Sequence, residues 1–265
     1  TWEIISRKLK TPVTVNLNWL VLNLLKLYLA LIRQELPLDE GTKDLQPKEK
    51  EAKLDALFWQ ALVWSFGCTT DGDGRAMLNT VIRELMQGRQ IKEKYGLICS
   101  EPLLRPAAKM QFPEEKGETV YDYFYSGSSG KYELWTKKIG NFDVPKDAQV
   151  HTIIVPTADT TRNAFLLQTL VKAGRHMLIS GPTGTGKTTV IAQELLSKFD
   201  KELYTNISFA FSAQTTANQT QDVIDGKLDK RKKGTFGPPL GKKCLIFVDD
   251  LNMPAKEVFG AQPPI

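Results

Sequence analysis

Cysteine and histidine are scarce in this sequence: three cysteines and two histidines in 265 residues. Cys68, Cys99 and Cys244 lie far apart with no CxxC spacing, which excludes a disulfide framework or a zinc site and predicts free thiols in a reducing compartment. His151 and His176 have no partners at metal-ligand spacing and read as ordinary strand-edge residues. Long apolar runs are lacking too. The segment from Leu17 to Ile32 is broken by Asn18, Asn23 and Lys26, and its longest apolar run, Leu27 to Ile32, falls far short of a bilayer span. No membrane partner is expected. At about 100° per residue Asn16, Asn23, Lys26 and Arg33 share one stripe, which predicts a mostly buried helix with one wet edge. Excess charge of one sign is small: a net +5 from 35 basic and 30 acidic side chains does not by itself imply a polyanion partner. No cationic leader with an apolar core and cleavage site opens the chain, which starts at Thr1 and reads as a piece of something longer. With 42% hydrophobic and 25% charged residues, long disorder or a fibre is excluded.

Three helical stretches are expected first: Leu17 to Gln34, Glu49 to Phe66 and Arg75 to Gln87. Asp71-Gly-Asp-Gly-Arg75 resembles the start of a calcium loop, but positions six and twelve hold Ala76 and Ile82 where Gly and Glu are needed. Asp73 is instead read as a helix cap. From Pro102 to Val150, two aromatic runs flank Ser126-Gly-Ser-Ser-Gly130, which predicts a hairpin whose aromatics pack rather than stack on bases. Beyond residue 151 strand and helix alternate, the pattern of a parallel sheet covered by helices. A helix capped by Thr157 or Asp159 runs to Lys172. A strand at His176 to Ser180 follows, then a helix from Gly186 to Phe199, a strand at Tyr204 to Phe211, a helix reaching Lys233 and a strand at Lys243 to Val248.

Chemistry concentrates in Gly181-Pro182-Thr183-Gly184-Thr185-Gly186-Lys187-Thr188, which fits GxxxxGK[ST] between an expected strand and an expected helix. An anionic polyphosphate needs several backbone N–H groups aimed inward, and glycines let the loop turn that tightly. The helix dipole adds positive potential, Lys187 brings an ammonium to the β and γ phosphates, Thr188 supplies a hydroxyl to Mg²⁺, and Thr189 assists. Leu245-Ile-Phe-Val-Asp249-Asp250 is apolar and then acidic, a Walker B pattern. Asp249 would hold the metal and Asp250 would activate the attacking water. The alternative is that both acids cap a helix near Pro254.

These motifs resemble an AAA+ ATPase. The strings Thr157–Arg162, Phe211–Asp222, Lys227–Lys243, Phe247–Pro254 and Gly260–Ile265 are similar to the third module of axonemal dynein heavy chains. Phe58 to Gly67 resembles the small helical subdomain of the second module, and the Tyr121 to Trp135 hairpin the join between modules. The resemblance implies an α/β fold: a P-loop AAA+ parallel sheet with flanking helices, incomplete at its C-terminus. A helical lid over 1–101 and a hairpin linker over 102–150 precede that large subdomain, 151–265. In the family the sheet order is 5-1-4-3-2, so the fourth strand, expected to lie outside this sequence, separates the Walker A strand from the Walker B strand.

The resemblance further implies ATP/ADP and Mg²⁺ as cofactors and Ile154, Val155 and Pro156 against the adenine. It implies a six-module ring that couples ATP binding and hydrolysis to movement in the cilium or flagellum, here through a regulatory site. The implied location is the axonemal cytoskeleton in the cytoplasm. Neighbouring AAA+ modules, intermediate and light chains, and microtubules reached through a distant stalk are the implied partners. The family's second acid is Glu in most sites; Asp250 is one methylene shorter, so tight binding with slow turnover is expected, and none by the isolated chain. Two rivals remain: a nucleotide-stapled structural module without hydrolysis, and a nucleic-acid-dependent ATPase gripping phosphates with Lys230-Arg-Lys-Lys233. Against the second, those cations are expected in the last turn of a helix, where they favour its dipole and lie in solvent.

Overall fold

A computed structural model describes residues 1–36, 46–97, 107–140 and 155–254. The chain divides into two compact units, Thr1–Ser180 and Gly181–Ile265.

In the first unit, helices α1 (Trp2–Lys8), α2 (Leu17–Glu35), α3 (Pro47–Ser65) and α4 (Gly72–Met86) precede the one-turn α5 (Lys92–Tyr95). Helix α2 starts where the Asn16 side chain accepts from the Trp19 N–H, and buries Leu20, Leu27 and Leu31 on one face. Its other face corrects the expectation of a mostly buried helix: Leu17, Trp19, Val21, Leu22, Leu25 and Leu29 are all exposed. The polar stripe therefore does not mark the whole outer surface. Pro47 sits in the first turn of α3, where its missing N–H costs nothing, and every residue of α3 from Trp59 to Ser65 is buried. Helix α4 is capped by Asp71, not Asp73: the Asp71 carboxylate accepts from the Gly74 N–H at 2.9 Å. Asp73 falls inside the first turn, where its charge suits the helix dipole.

Strands β1 (Tyr123–Ser126) and β2 (Lys131–Leu134) form the expected antiparallel hairpin, with Tyr123 opposite Leu134 and Gly130 at φ +66° in the turn. Its aromatics serve packing: Tyr121, Tyr123, Phe124, Tyr125, Tyr132 and Trp135 are buried. The buried amide of Gln60 on α3 accepts from the Tyr125 N–H at 2.8 Å, while the Tyr132 hydroxyl donates to the Ala56 carbonyl at 2.9 Å. Each leaves little choice of register, because a one-residue slip would strand a buried polar group. Helix α6 (Ala158–Lys172) opens with a capping box between Thr157 and Thr160 and packs in the same unit. Phe165 lies 5.3 Å from the Trp135 ring, and the Thr169 hydroxyl donates to Gln34 at 2.9 Å.

The second unit contains α7 (Lys187–Ser197), β3 (Tyr204–Ala210), α8 (Ala217–Asp225), β4 (Asp229–Lys232), β5 (Thr235–Gly237) and β6 (Lys243–Asp249). β3 and β6 pair in parallel, Tyr204 opposite Lys243 through Ala210 opposite Asp249, joined by a crossover through α8. Leu195, Phe199, Ile207 and Phe211 are its buried apolar side chains among the described residues. Two sequence expectations are corrected. His176 to Ser180 forms no strand: it has no ladder partner among the described residues, and an extended segment without one has no hydrogen bonds to define it. The helix expected to reach Lys233 stops at Asp225, and Lys230 to Lys233 lie instead on an antiparallel β4–β5 hairpin. Gly234, at φ +73°, makes the turn that a helical reading ignores. No described helix is long and apolar enough to cross a membrane.

Candidate functional site

Gly181 to Thr189 lies within the second unit and runs into α7. Gly184 and Gly186 adopt φ +81° and +76°, a region that penalises any Cβ, and Gly186 is the N-cap of α7. Since glycine has no side chain to offer as a cap, α7 begins without a side-chain cap hydrogen bond, which leaves its first-turn N–H groups available to another acceptor. The half-buried Lys187 turns back over the loop: its ammonium donates to the Gly181 carbonyl at 3.0 Å, the Pro182 carbonyl at 2.6 Å and the Thr185 hydroxyl at 3.4 Å. Thr185 in turn donates to the Pro182 carbonyl at 2.9 Å. Among the described residues no carboxylate pairs with Lys187, so its charge is held only by neutral oxygens that an anion can outbid.

Asp249 reaches the same place from the carboxyl end of β6. Its Oδ2 accepts from the Thr188 hydroxyl at 2.7 Å across 61 residues of sequence, and its Oδ1 accepts from the Asp250 N–H at 3.0 Å. Position along the sheet is fixed by backbone pairing, since the Phe211 N–H donates to the Asp249 carbonyl at 3.0 Å. Ligands in open parallel sheets bind beyond the carboxyl ends of the strands, which is where these groups meet. Asp250 leaves the strand at φ +51°, the left-handed region that Asp tolerates better than most residues. Its carbonyl then accepts from the Met253 N–H at 2.9 Å, so a turn follows the acids, and the helix expected near Pro254 lies outside the described residues.

The residues present fit a magnesium nucleotide. A hydroxyl and a carboxylate in contact are the hard oxygen donors Mg²⁺ takes, completed in such sites by water and phosphate oxygens. The ammonium and the open helix end suit the phosphates. Thr183 and Thr189 are exposed on the loop and the first turn. Ile154 lies outside the described residues, as does His151, while Val155 and Pro156 belong to the first unit. His176 is exposed, and among the described residues no group of three His, Cys, Asp or Glu could hold a metal by itself. One contributor escaped sequence reasoning: the Asn206 amide on β3 donates to the Leu195 carbonyl at 2.6 Å and pins the end of α7 to the sheet. An amide among strand-forming residues was its only signal.

Two family models account for most of the sequence: the dynein heavy chain AAA lid domain over residues 1–137 and the P-loop containing dynein motor region over residues 142–265. Mouse dynein axonemal heavy chain 12 is 41% identical over 212 residues, covering 79% of this chain and 7% of that protein. Human dynein axonemal heavy chain 3 is 40% identical over 256 residues, 93% of this chain and 6% of that protein. Human dynein axonemal heavy chain 1 is 39% identical over 266 residues, again 93% and 6%. The chain thus spans a small fraction of the length of these relatives. With a phosphate loop opposed by a paired acid strand, and both halves matched by dynein models, the chain belongs to the dynein heavy chain family.

Proposed function

We propose that residues 151–265 form the ATP-binding part of a regulatory AAA+ module in an axonemal dynein heavy chain. Residues 1–101 would be the lid of the preceding module and 102–150 the linker between them. The observation that carries this reading is the Thr188–Asp249 hydrogen bond, which joins the phosphate loop to the acid strand at 2.7 Å. Gly181 to Thr189 would cradle the phosphates, Lys187 would neutralise the β and γ oxygens, and Thr188 with Asp249 would hold Mg²⁺. Ile154, Val155 and Pro156 would border the adenine. Bound there, Mg²⁺ would supply positive charge that offsets the negative charge of the phosphates. Asp250 would accept the proton of the attacking water, from a carboxyl one methylene closer to the backbone than a glutamate's. Turnover is accordingly slow, and occupancy of the site tunes a ring that works on microtubules in the axoneme, with neighbouring modules and intermediate and light chains as partners.

The test is nucleotide binding by the full heavy chain with a fluorescent ATP analogue. Lys187→Ala and Asp249→Asn each remove one site's worth of Mg²⁺-dependent binding; unchanged stoichiometry in both would refute the assignment. A second reading, a nucleotide staple that never turns over, is favoured by the short Asp250 side chain. ADP that stays bound through many motor cycles supports it.

A further inference from the structure

The run Lys230-Arg-Lys-Lys233 plays no part in the nucleotide site, and its place on a hairpin calls for a different account from a helix end. Between Lys227 and Lys243 the sequence carries seven basic residues and one acid, Asp229. All four residues of β4 are exposed. Lys230 stands opposite Phe236, Lys232 opposite Thr235, and the bulge between Lys230 and Lys232 sets Arg231 apart from both pairs. Arg231 is used internally: its guanidinium donates to the Pro238 carbonyl and lies against Gly237, tying the strand to the segment that follows the hairpin. Lys230, Lys232 and Lys233 have no ion-pair partner among the described residues.

Lysines on an edge strand can simply discourage pairing with other strands. Large apolar side chains do the opposite, and this hairpin exposes Phe236 at 39% and the segment just after it Leu240 at 85%. Cations around exposed apolar groups match a protein surface with an apolar seat and an acidic rim. Nucleic acid suits the patch less well. Its phosphates are best gripped by arginine forks, and the one arginine is engaged, while single strands need successive aromatic platforms and here there is one.

Size decides where such a surface would lie. The twelve residues from Asp229 to Leu240 fall well short of the roughly 20 to 30 a side that stable interfaces use. A contact this small holds only when its partner is tethered, where linkage supplies effective concentrations on the order of millimolar. We propose that the β4–β5 hairpin is a docking finger for an acidic, partly apolar surface elsewhere on the same heavy chain. The proposal stands apart from the nucleotide reading, since it shares no residue with it.

Zero-length carbodiimide cross-linking of the full-length heavy chain, mapped by mass spectrometry, tests it. Lys230, Lys232 or Lys233 is expected to form amides with Asp or Glu of the same chain outside residues 181–265. Their yield is independent of protein concentration and drops severalfold at about 1 M salt, where the Debye length is near 3 Å. Phe236→Ser with Leu240→Ser, which leaves every lysine in place, lowers that yield about threefold or more if apolar seating holds the finger. Links confined to Asp225 and Asp229, a yield that falls with dilution, or no loss in the serine pair would overturn the proposal. So would salt-dependent oligonucleotide binding abolished by K232E/K233E.

Discussion

Replacing Asp250 by Glu sets two effects against each other, and their sizes can be compared. The longer side chain moves the carboxylate outward by one methylene, and a misplacement near 1 Å costs on the order of 100-fold in rate. Against this, residue 250 sits at φ +51°, where Asp is favoured over Glu. That conformational preference costs about 1 kcal/mol, roughly fivefold in the population of the competent turn. No packing term enters, because the residue is exposed and followed by a turn. Reach should win, leaving a net gain of roughly 20-fold in hydrolysis at this site. The assay is single-turnover hydrolysis of labelled ATP by the full heavy chain, with the same chain carrying Lys187→Ala subtracted to isolate this module. Asp250→Asn keeps the tolerance for the left-handed turn and removes the base, so hydrolysis falls while binding holds. A rate in Asp250→Glu at or below the parent would refute the reach argument. An unaltered rate in Asp250→Asn would remove Asp250 from the chemistry altogether.

Gly184→Ala and Gly186→Ala should each weaken nucleotide binding about fivefold, since the added methyl meets no atom within 4 Å and only the positive φ resists it; equilibrium titration checks this. Trp135→Ala should destabilise the first unit by about 3 to 5 kcal/mol, because the ring is 1% exposed and its N–H donates to the Tyr121 carbonyl at 3.1 Å; urea denaturation reads it. Burial holds the Cys68 thiol up at about 11, and its Sγ lies 2.9 Å from the Trp64 carbonyl. At pH 8.5 its thiolate fraction is then more than about 100-fold below that of a free cysteine, with alkylation accelerating about tenfold per pH unit towards pH 11. Rapid alkylation at Cys68 itself in the folded chain at pH 8.5, read by peptide mapping, would contradict this.

Features written in local chemistry were legible in the sequence. The phosphate loop was found because glycine and lysine at fixed spacing have few other uses, and Gly184 and Gly186 do take positive φ. The aromatic hairpin declared itself through the Ser-Gly-rich turn between two aromatic runs. Features decided by neighbours were not legible. Asp71 and Asp73 are equally good caps in isolation, and the turn geometry chose the first. Periodicity in α2 marked its polar stripe but could not say which apolar residues meet α3. A strand at His176 to Ser180 depends on a ladder that none of the described strands supplies. Lys230 to Lys233 misled because the basic run suited a helix end, although Gly234 followed by Thr-Phe was a turn signal in its own right. At the site, the Thr188–Asp249 pairing joins two motifs whose separation in the chain carries no distance information.

All five tryptophans, Trp2, Trp19, Trp59, Trp64 and Trp135, fall in the first unit and none follows residue 180. Intrinsic indole fluorescence is therefore a one-sided gauge, blind to the loop-bearing half. A melt followed at that wavelength would chart the helical half alone and should not be quoted as the transition of the whole chain. The same silence is useful to an experimenter. A single indole introduced at Phe209 would shine from the strand half, and its difference from the parent melt would report that half's own unfolding.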